Sequence, residues 1–482
     1  METTDITLKK LSKIAIVALI ILLVGAIIFF RERIFFADAA YVSFNIINYS
    51  DLAIQCNRYG SFITQIVPYL GQQFHLPLTS VLISYSASFY LFYLVVIAML
   101  VYRCKQYGLA VLAALYYFLI FSDSFFWISE IPQGIGWMFL LFGVTISLGK
   151  KKAPFILIAF PFIILAFLTI STHFVILIPT VFLWVYFIVE KNNWPFSWKT
   201  TILLSCLLVA VIAFKFILAL SGAQAATGDG PHLYGVTHVS FKDIFNSFAT
   251  PVVRMFFYNC LVNYWAATLV FIIGIISLFR NGNKILAAWV LVCFLGYSII
   301  MGLTYGDLDQ NVLLFHIESE WTSIGVIMAT PFVFGFLPKL KLANASILLT
   351  GIFIVRLAYI STAIPMFTWR THFQENILAK MKEKGITKVA LLREYSIKPK
   401  YLLDWSSSNE SLLMSAMNGD IPNRTFVFID SLYNEPVKQL ITTGKGFYNI
   451  GDMLPLNDLK HEYFNIDTTQ PYKVMLYEDL IK

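Results

Sequence analysis

The acidic side chains that are best suited to do chemistry lie at the ends of long apolar segments. Asp38 follows the first such segment, and Asp123 and Glu130 flank a short aromatic stretch further along the chain. A carboxylate between aromatic residues at the edge of lipid is partly desolvated, which raises its pKa toward the range useful for a general base. Asp38, Asp123 and Glu130 are therefore candidate functional carboxylates.

Each of these carboxylates also has an interpretation that involves no chemistry. Asp38 stands where a helix would begin, and Asp is favoured at the N-cap because it satisfies free backbone N–H groups. Those hydrogen bonds keep a capping carboxylate acidic, so a capping Asp38 would be a weak base. For Asp123 and Glu130, the alternative is that a short connecting loop simply needs polar residues.

Two cations, Lys215 and Arg356, lie inside apolar segments. Each lies nearer the outer end of its segment, which is the end that the charge pattern described below predicts to be extracytoplasmic. Charges at such depth are costly unless they pair or extend to the interface. Snorkelling is one interpretation. The other is that both cations meet an anionic group delivered by a lipid, since the guanidinium fork suits phosphate. His173, at the outer start of another segment, is a further candidate for this group.

Metal binding has only a weak signal in this sequence. Asp307-Leu308-Asp309 is a pattern that can coordinate a divalent cation bridging phosphates. Solvated loop charge is the alternative interpretation, because two acids at this spacing are common. His232 and His238 lie in a glycine-rich loop, but a gap of six residues is not a helical ligand spacing. We predict no metal ligands, and a divalent cofactor stays open.

Eleven apolar segments must position these groups. The chain is 58% apolar and 13% charged, which indicates a membrane protein. The segments lack the alternation of barrel strands and are typical of membrane helices. They cover 14–30, 79–101, 107–122, 133–148, 153–171, 174–189, 200–220, 260–279, 285–303, 321–337 and 342–362.

Charge in the connections predicts the orientation of these segments. Alternate connections, including the N-terminus, hold 14 cations and three acids, whereas the others before residue 363 hold five cations and eleven acids. Lys and Arg are retained on the cytoplasmic side, so the N-terminus is predicted to be cytoplasmic. The net charge of +7 reflects this asymmetry, and no basic stripe indicates nucleic-acid binding. We expect a multi-pass protein of the bacterial cytoplasmic membrane.

The residue pattern of the first outer loop, 31–78, predicts helices that lie in the membrane interface. Polar residues from Asp38 to Arg58 recur at helical spacing along one broad face. A second apolar stretch, 62–70, is interrupted by Pro68 and is too short to span, so it is predicted to pack on the bundle or enter the interface.

The composition changes near residue 365, and residues 365–482 hold 14 cations and 14 acids. This length suits a small folded domain. The pattern predicts a helix over 370–384 and strands over 386–392, 425–429 and 474–477. We therefore expect an all-α transmembrane domain (1–362) and an extracytoplasmic α/β domain (363–482), which caps the bundle or docks an acceptor.

Several of these features together resemble the C-type (GT-C) polytopic membrane glycosyltransferase superfamily, in particular its bacterial members that use polyprenyl-phosphate sugars. The sequence ADAAYVSF at 37–44 is similar to the Asp-Ala-Tyr segment that follows the first span in such members. Asp123 and Glu130 follow the third segment, where the family often carries further acids. Residues 58–86 also resemble a stretch of uncharacterised bacterial polytopic membrane proteins. Ala37 stands where the family often has a second acid.

The resemblance implies transfer of a sugar from a polyprenyl-phosphate donor to a glycan or lipid acceptor outside the cytoplasm. It implies Asp38 as the base, with Glu130 as an alternate base or acceptor anchor. It also implies that Lys215 and Arg356 bind the lipid phosphate, with Arg58 as a third cation.

Three other classes of protein share this layout. A glycan polymerase would use the same lipid substrates. A transporter or flippase of lipid-linked glycans would need a hydrated path, whereas the middle of each segment is Leu, Ile, Val and Phe. A non-catalytic membrane subunit would use its outer domain to bind a partner.

Overall fold

The computed structural model describes most of the chain. The described residues are 2–120, 122–190, 194–220, 239–306, 317–318, 321–392, 403–429, 435–467 and 469–481.

Helices form at each of the eleven predicted segments. In the first half they are α1 (Glu2–Ile28), α2 (Phe30–Ile34), α3 (Ala37–Tyr49), α4 (Phe62–Gln73), α5 (Leu78–Ala98), α6 (Tyr107–Leu119), α7 (Ile131–Lys150), α8 (Phe155–Thr172), α9 (Leu177–Glu190) and α10 (Trp198–Leu220). In the second half they are α11 (Phe241–Ser247), α12 (Pro251–Leu261), α13 (Trp265–Arg280), α14 (Lys284–Tyr305), α15 (Ile324–Pro331), α16 (Leu342–Glu383), α17 (Ser407–Met417), α18 (Glu435–Thr443) and α19 (Tyr477–Ile481).

Eight of the described helical segments are long and apolar enough to cross a membrane. A ninth span forms if Phe241–Leu261 and Trp265–Arg280, which meet at 83°, are taken together. The apolar helices Tyr107–Leu119 and Phe174–Glu190 are shorter. These helices indicate a polytopic membrane protein.

The short helix α6 lies at the centre of the bundle. Its side chains are buried from Gly108 through Leu119. A helix that is apolar on every face is stable when protein surrounds it. Packing against α1, α5, α7 and α15 therefore accounts for the uniform hydrophobicity of this segment.

The first interfacial helix is shorter than predicted. α3 ends at Tyr49, and Ser50 adopts a left-handed conformation with φ of 54°. Residues 51–58 are irregular, so the predicted helical face does not continue to Arg58. The second apolar stretch forms α4, which keeps Pro68 inside the helix and packs on α5.

The predicted domain boundary at 362/363 lies inside one continuous helix. α16 runs for 42 residues, so the predicted helix 370–384 is the end of the preceding span. Pro365 lies within this helix. The last turns of α16 then pack into the C-terminal lobe through Phe373, Ile377 and Met381.

The C-terminal lobe contains the three predicted strands. β1 (Lys388–Leu392) is central and pairs in parallel with β2 (Thr425–Ile429) and with β5 (Lys473–Leu476). A short antiparallel pair joins β3 (Phe447–Asn449) to β4 (Asp452–Leu454). The apolar faces of β1 and β2 pack against α17, so the lobe is α/β as expected.

The lobe packs directly on α3. The Phe44 ring lies 5.0 Å from the Phe447 ring and 5.4 Å from the Phe464 ring, measured between centroids. The amide of Asn48 donates to the Asp458 carbonyl at 2.9 Å and accepts from the Lys460 N–H at 2.9 Å. The helix that carries Asp38 is therefore held between the bundle and the lobe.

Candidate functional site

Asp38 lines a pocket that is shared by several elements. The walls come from α3, the irregular stretch 51–58, α4, α5 and the start of α7. The pocket has a cavity volume of about 60 Å³, which is space for about two water molecules. It is lined by Asp38, Val42, Ala53, Gln55, Arg58, Ser61, Gln65, Tyr85, Phe89, Ile128, Ser129, Glu130 and Gln133.

The Asp38 carboxylate is not an N-cap. The N-cap of α3 is Phe36, which has no side-chain cap, and Asp38 is the second residue of the helix. Its side chain is exposed to the pocket and makes no hydrogen bond to the described residues. The capping alternative is therefore wrong, and no hydrogen bond from a described residue stabilises the ionised form of this carboxylate.

The surroundings of Asp38 raise its pKa to about 7. Enclosure by the pocket walls contributes most, because it removes water that would solvate the charged form. The negative charge of Glu130 raises the pKa further, and the positive charge of Arg58 opposes both effects. A carboxyl with this pKa is half ionised near neutral pH, which suits a general base.

Arg58 and Glu130 form an ion pair in the pocket wall. Their side chains are about one-fifth exposed, so the pair is accessible from the cavity but largely shielded. Glu130 directly precedes α7, which fixes its backbone at a helix start. Two carboxylates and one guanidinium therefore converge on this cavity.

A close approach of backbone to backbone positions Arg58. Gly60 lies so close to α8 that an added Cβ would be 1.8 Å from the Thr172 hydroxyl oxygen and 2.4 Å from the Leu168 carbonyl oxygen. Only glycine fits there. The Trp137 indole N–H donates to the Gly60 carbonyl at 2.9 Å, which ties the Arg58 segment to α7.

Two glutamines complete the pocket. Gln65 accepts from the Ala53 N–H at 2.7 Å and donates to the Ala53 carbonyl at 3.2 Å, which fastens the irregular stretch to α4. Gln133 is buried, and its amide oxygen has no hydrogen-bond partner in the described structure. A buried polar group without a partner is costly, so Gln133 is suited to receive a hydroxyl from a ligand.

The C-terminal lobe fixes the start of α3. Ala37 has a left-handed φ of 39°, which is unfavourable for a residue with a Cβ. The Ala37 N–H donates to Glu410 at 2.8 Å, and the Ala37 carbonyl accepts from the Ser406 hydroxyl at 3.0 Å. Glu410 also pairs with Arg370 at 2.6 Å and is fully buried. This network sets the position of the residue next to Asp38.

Asp123 belongs to a second acidic cluster rather than to the lining of the pocket. Its partner is Glu318, which is buried and accepts from the backbone N–H groups of Ser122 at 3.2 Å and Ser124 at 2.7 Å. The Tyr264 hydroxyl donates to the same carboxylate at 2.9 Å. Burial and the negative charge of Glu318 together raise the pKa of Asp123 to about 8, and burial has the larger effect.

Arg356 also lies outside the lining of the pocket. It is fully buried, and its guanidinium donates to the carbonyls of Phe118 at 2.8 Å and Asn263 at 2.5 Å. It also faces the Tyr264 and Tyr359 rings. These contacts make Arg356 a brace between α6 and the bend before α13, and they lend no support to the predicted phosphate-binding role.

Lys215 and His173 form a third group at the end of α8. Both side chains are buried, and the Lys215 ammonium lies 3.5 Å from the Ser171 carbonyl oxygen. The His173 ring accepts from the Val175 N–H at 3.3 Å and stacks on Phe174. Neither residue lines the Asp38 pocket, so their predicted phosphate-binding role stays a prediction.

No three His, Cys, Asp or Glu side chains of the described ranges converge as a metal site would require. Asp307, Asp309, His232 and His238 lie outside the described residues.

Sequence reasoning missed Gln65, Gln133 and Glu410. The spacing of Glu130 and Gln133 contains a usable signal, because residues three apart at a helix start share a face. Glu410 offers no such signal, because its partners Ala37 and Arg370 are remote in sequence.

Comparison of the chain with protein-family models, characterised proteins and solved structures gave no match.

Proposed function

We propose that this chain is a membrane glycosyltransferase that moves a sugar from a polyprenyl-phosphate donor to a hydroxyl-bearing glycan or lipid acceptor on the extracytoplasmic side. The observation that carries this proposal is the Asp38 carboxylate. It is open to a pocket, makes no hydrogen bond to described residues and has a pKa of about 7. These are the properties of a group that accepts a proton from an attacking hydroxyl.

In the proposed reaction the acceptor hydroxyl enters the pocket and Asp38 takes its proton. The acceptor oxygen attacks the anomeric carbon, and the bond from that carbon to the phosphate oxygen breaks. The lipid phosphate leaves with the bonding electrons and needs no general acid. A cavity of about 60 Å³ suits the hydroxyl end of the acceptor, so the sugar ring and the lipid phosphate lie at its mouth.

Arg58 is the cation best placed to meet the developing phosphate charge. It lines the same pocket as Asp38 and pairs with Glu130. Exchange of the Glu130 carboxylate for the leaving phosphate would stabilise the transition state with a preorganised donor. When the donor phosphate binds Arg58, before transfer, Glu130 is released to bind a hydroxyl of the acceptor, and Gln133 supplies a further hydrogen-bonding group.

The decisive experiment is a transfer assay in proteoliposomes with a panel of radiolabelled polyprenyl-phosphate sugars. Asp38→Asn should insert, bind donor and lose transfer by about 10²–10⁴-fold. Asp51→Asn is the matched control, because Asp51 is exposed just beyond α3. Its carboxylate accepts a hydrogen bond from the backbone N–H of the adjacent Leu52. Full activity of Asp38→Asn, or no donor used by the wild-type protein, would rule out the proposed reaction.

The same samples separate the alternatives. A flippase would move a fluorescent lipid-linked glycan between leaflets regardless of Asp38→Asn, whereas a polymerase would lengthen the acceptor repeatedly. A reporter fused at residue 130 tests the orientation, and a cytoplasmic signal there would contradict an extracytoplasmic site.

A further inference from the structure

A second, larger cavity lies at the other end of α5 and α7 from Asp38. Tyr85 lines the Asp38 pocket and Arg103 lines the second cavity, and α5 continues to Arg103 through one wider turn. At about 1.5 Å per residue, these two positions are ~27 Å apart along the helix. The two cavities are thus separated by nearly the thickness of a hydrocarbon core.

This second cavity has a volume of about 680 Å³ and is formed by four elements. α1 contributes Ile6 and Lys9, and the end of α5 leads through residues 103–106 into the start of α6. The last turn of α7 contributes Ser147 and Lys150. The volume is within the range of small-molecule sites.

The charge of this cavity is one-sided. Among the described residues that line it, five are exposed cations and none is an acid: Lys9, Arg103, Lys105, Lys150 and Lys151. None of the five forms a salt bridge with a described residue. Like charges around one cavity repel each other, and a bound anion would relieve that repulsion.

General effects account for only part of this arrangement. Arg103 and Lys150 lie in the last turns of helices, where a cation favours the helix dipole. The charge asymmetry of membrane proteins would place cations on this side. Lys9 lies near the N-terminal end of α1, and Lys105 lies in a left-handed turn with φ of 55°. Neither of the two effects requires these lysines to face the same cavity. In addition, α6 starts at Tyr107 and directs its N-terminus there.

We infer that this cavity binds a phosphorylated anion carrying at least two negative charges. The ligand is either the headgroup of an anionic phospholipid or a soluble phosphate compound, because both present the same chemistry to lysine and arginine. The inference does not depend on sugar transfer, because it rests on residues remote from Asp38.

The test uses the purified full-length protein in a neutral detergent, with melting temperature and native mass spectrometry as readouts. One arm titrates pyrophosphate. The other titrates short-chain phosphatidic acid, with short-chain phosphatidylcholine, which is zwitterionic and has no net charge, as its comparison. The wild-type protein should show saturable stabilisation by at least one anionic probe, and the effect should weaken as salt rises.

The pocket variant is Lys9→Gln/Lys151→Gln, which removes two charges from two elements. The matched control is Lys339→Gln/Lys341→Gln, two exposed lysines on the same predicted membrane face but outside the cavity. The pocket variant should bind at least about tenfold more weakly, since each lost charged hydrogen bond costs about that much. The control should bind as the wild type does.

Response to pyrophosphate assigns a soluble ligand, and response to phosphatidic acid alone assigns a lipid headgroup. The inference is overturned if neither probe gives saturable binding to the wild type, or if the control variant weakens binding as much as the pocket variant. The wild-type titration stands even if the pocket variant fails to fold.

Discussion

The carboxylate of Glu410 accepts a hydrogen bond from the backbone N–H of Ala37 at 2.8 Å, across 373 positions of sequence. Ala37 directly precedes Asp38 and has a left-handed φ of 39°. The lobe therefore holds the strained start of α3 in place. The C-terminal lobe therefore helps to position Asp38 in the candidate site.

The Glu410 network should be a main determinant of stability. Glu410→Gln leaves the buried Arg370 charge uncompensated, and breaking such a pair costs about 3–5 kcal/mol. We expect a clear drop in melting temperature and faster proteolysis of the lobe. Glu462→Gln is the control, because its pair with His75 is more exposed and is worth about 0–1 kcal/mol. Equal melting temperatures for the two variants would contradict this role.

The pH dependence of sugar transfer should report the Asp38 carboxyl. Only the ionised form accepts a proton, so the rate should rise with pH through about 7. Arg58 lowers this pKa and Glu130 raises it. Arg58→Gln should therefore move the midpoint to higher pH, and Glu130→Gln should move it to lower pH. Shifts of the same sign in both variants would show that the measured pKa does not belong to Asp38.

Stability should also depend on the ionisation of Asp38. The pKa of Asp38 is about 7 in the folded protein, whereas its ordinary value, which we take for the unfolded chain, is 3.8. Between these two pH values the folded protein therefore binds more protons than the unfolded chain. The contribution of Asp38 to stability therefore falls as pH rises from about 4 to 7. Melting temperature of the wild type minus that of Asp38→Asn should decline over this range. A flat difference would mean that the folded and unfolded pKa values are equal.

Gly60→Ala should disturb the site without touching a charged group. The added methyl would clash with the Leu168 carbonyl oxygen, which cannot rotate away, so the Arg58 segment must move off α8. We expect transfer activity to fall at least tenfold with the protein still folded. Gly351→Ala is the control, because its Cβ would meet open space in a helix, where Ala is favoured by about 1 kcal/mol. Similar activity of the two variants would show that the close approach is unimportant.

Local patterns in the sequence anticipated the elements of this fold. The apolar segments became helices, and the three predicted strands formed within one or two residues of their expected positions. The end of α3 was missed because the polar spacing of residues 38–58 is compatible with a helix, whereas packing imposes a left-handed turn at Ser50. The boundary predicted at 362/363 follows the change in composition, and the α16 backbone continues through that position.

The sequence by itself determined where helices form and which carboxylates stand at their ends, because hydrophobic runs and charge are properties of neighbouring residues. Tertiary structure alone decided which of those groups meet. It brought Asp38, Arg58 and Glu130 to one pocket and placed Arg356 as a buried brace elsewhere. It also joined Glu410 to Ala37. These contacts depend on how remote helices pack, and no local pattern contains that information.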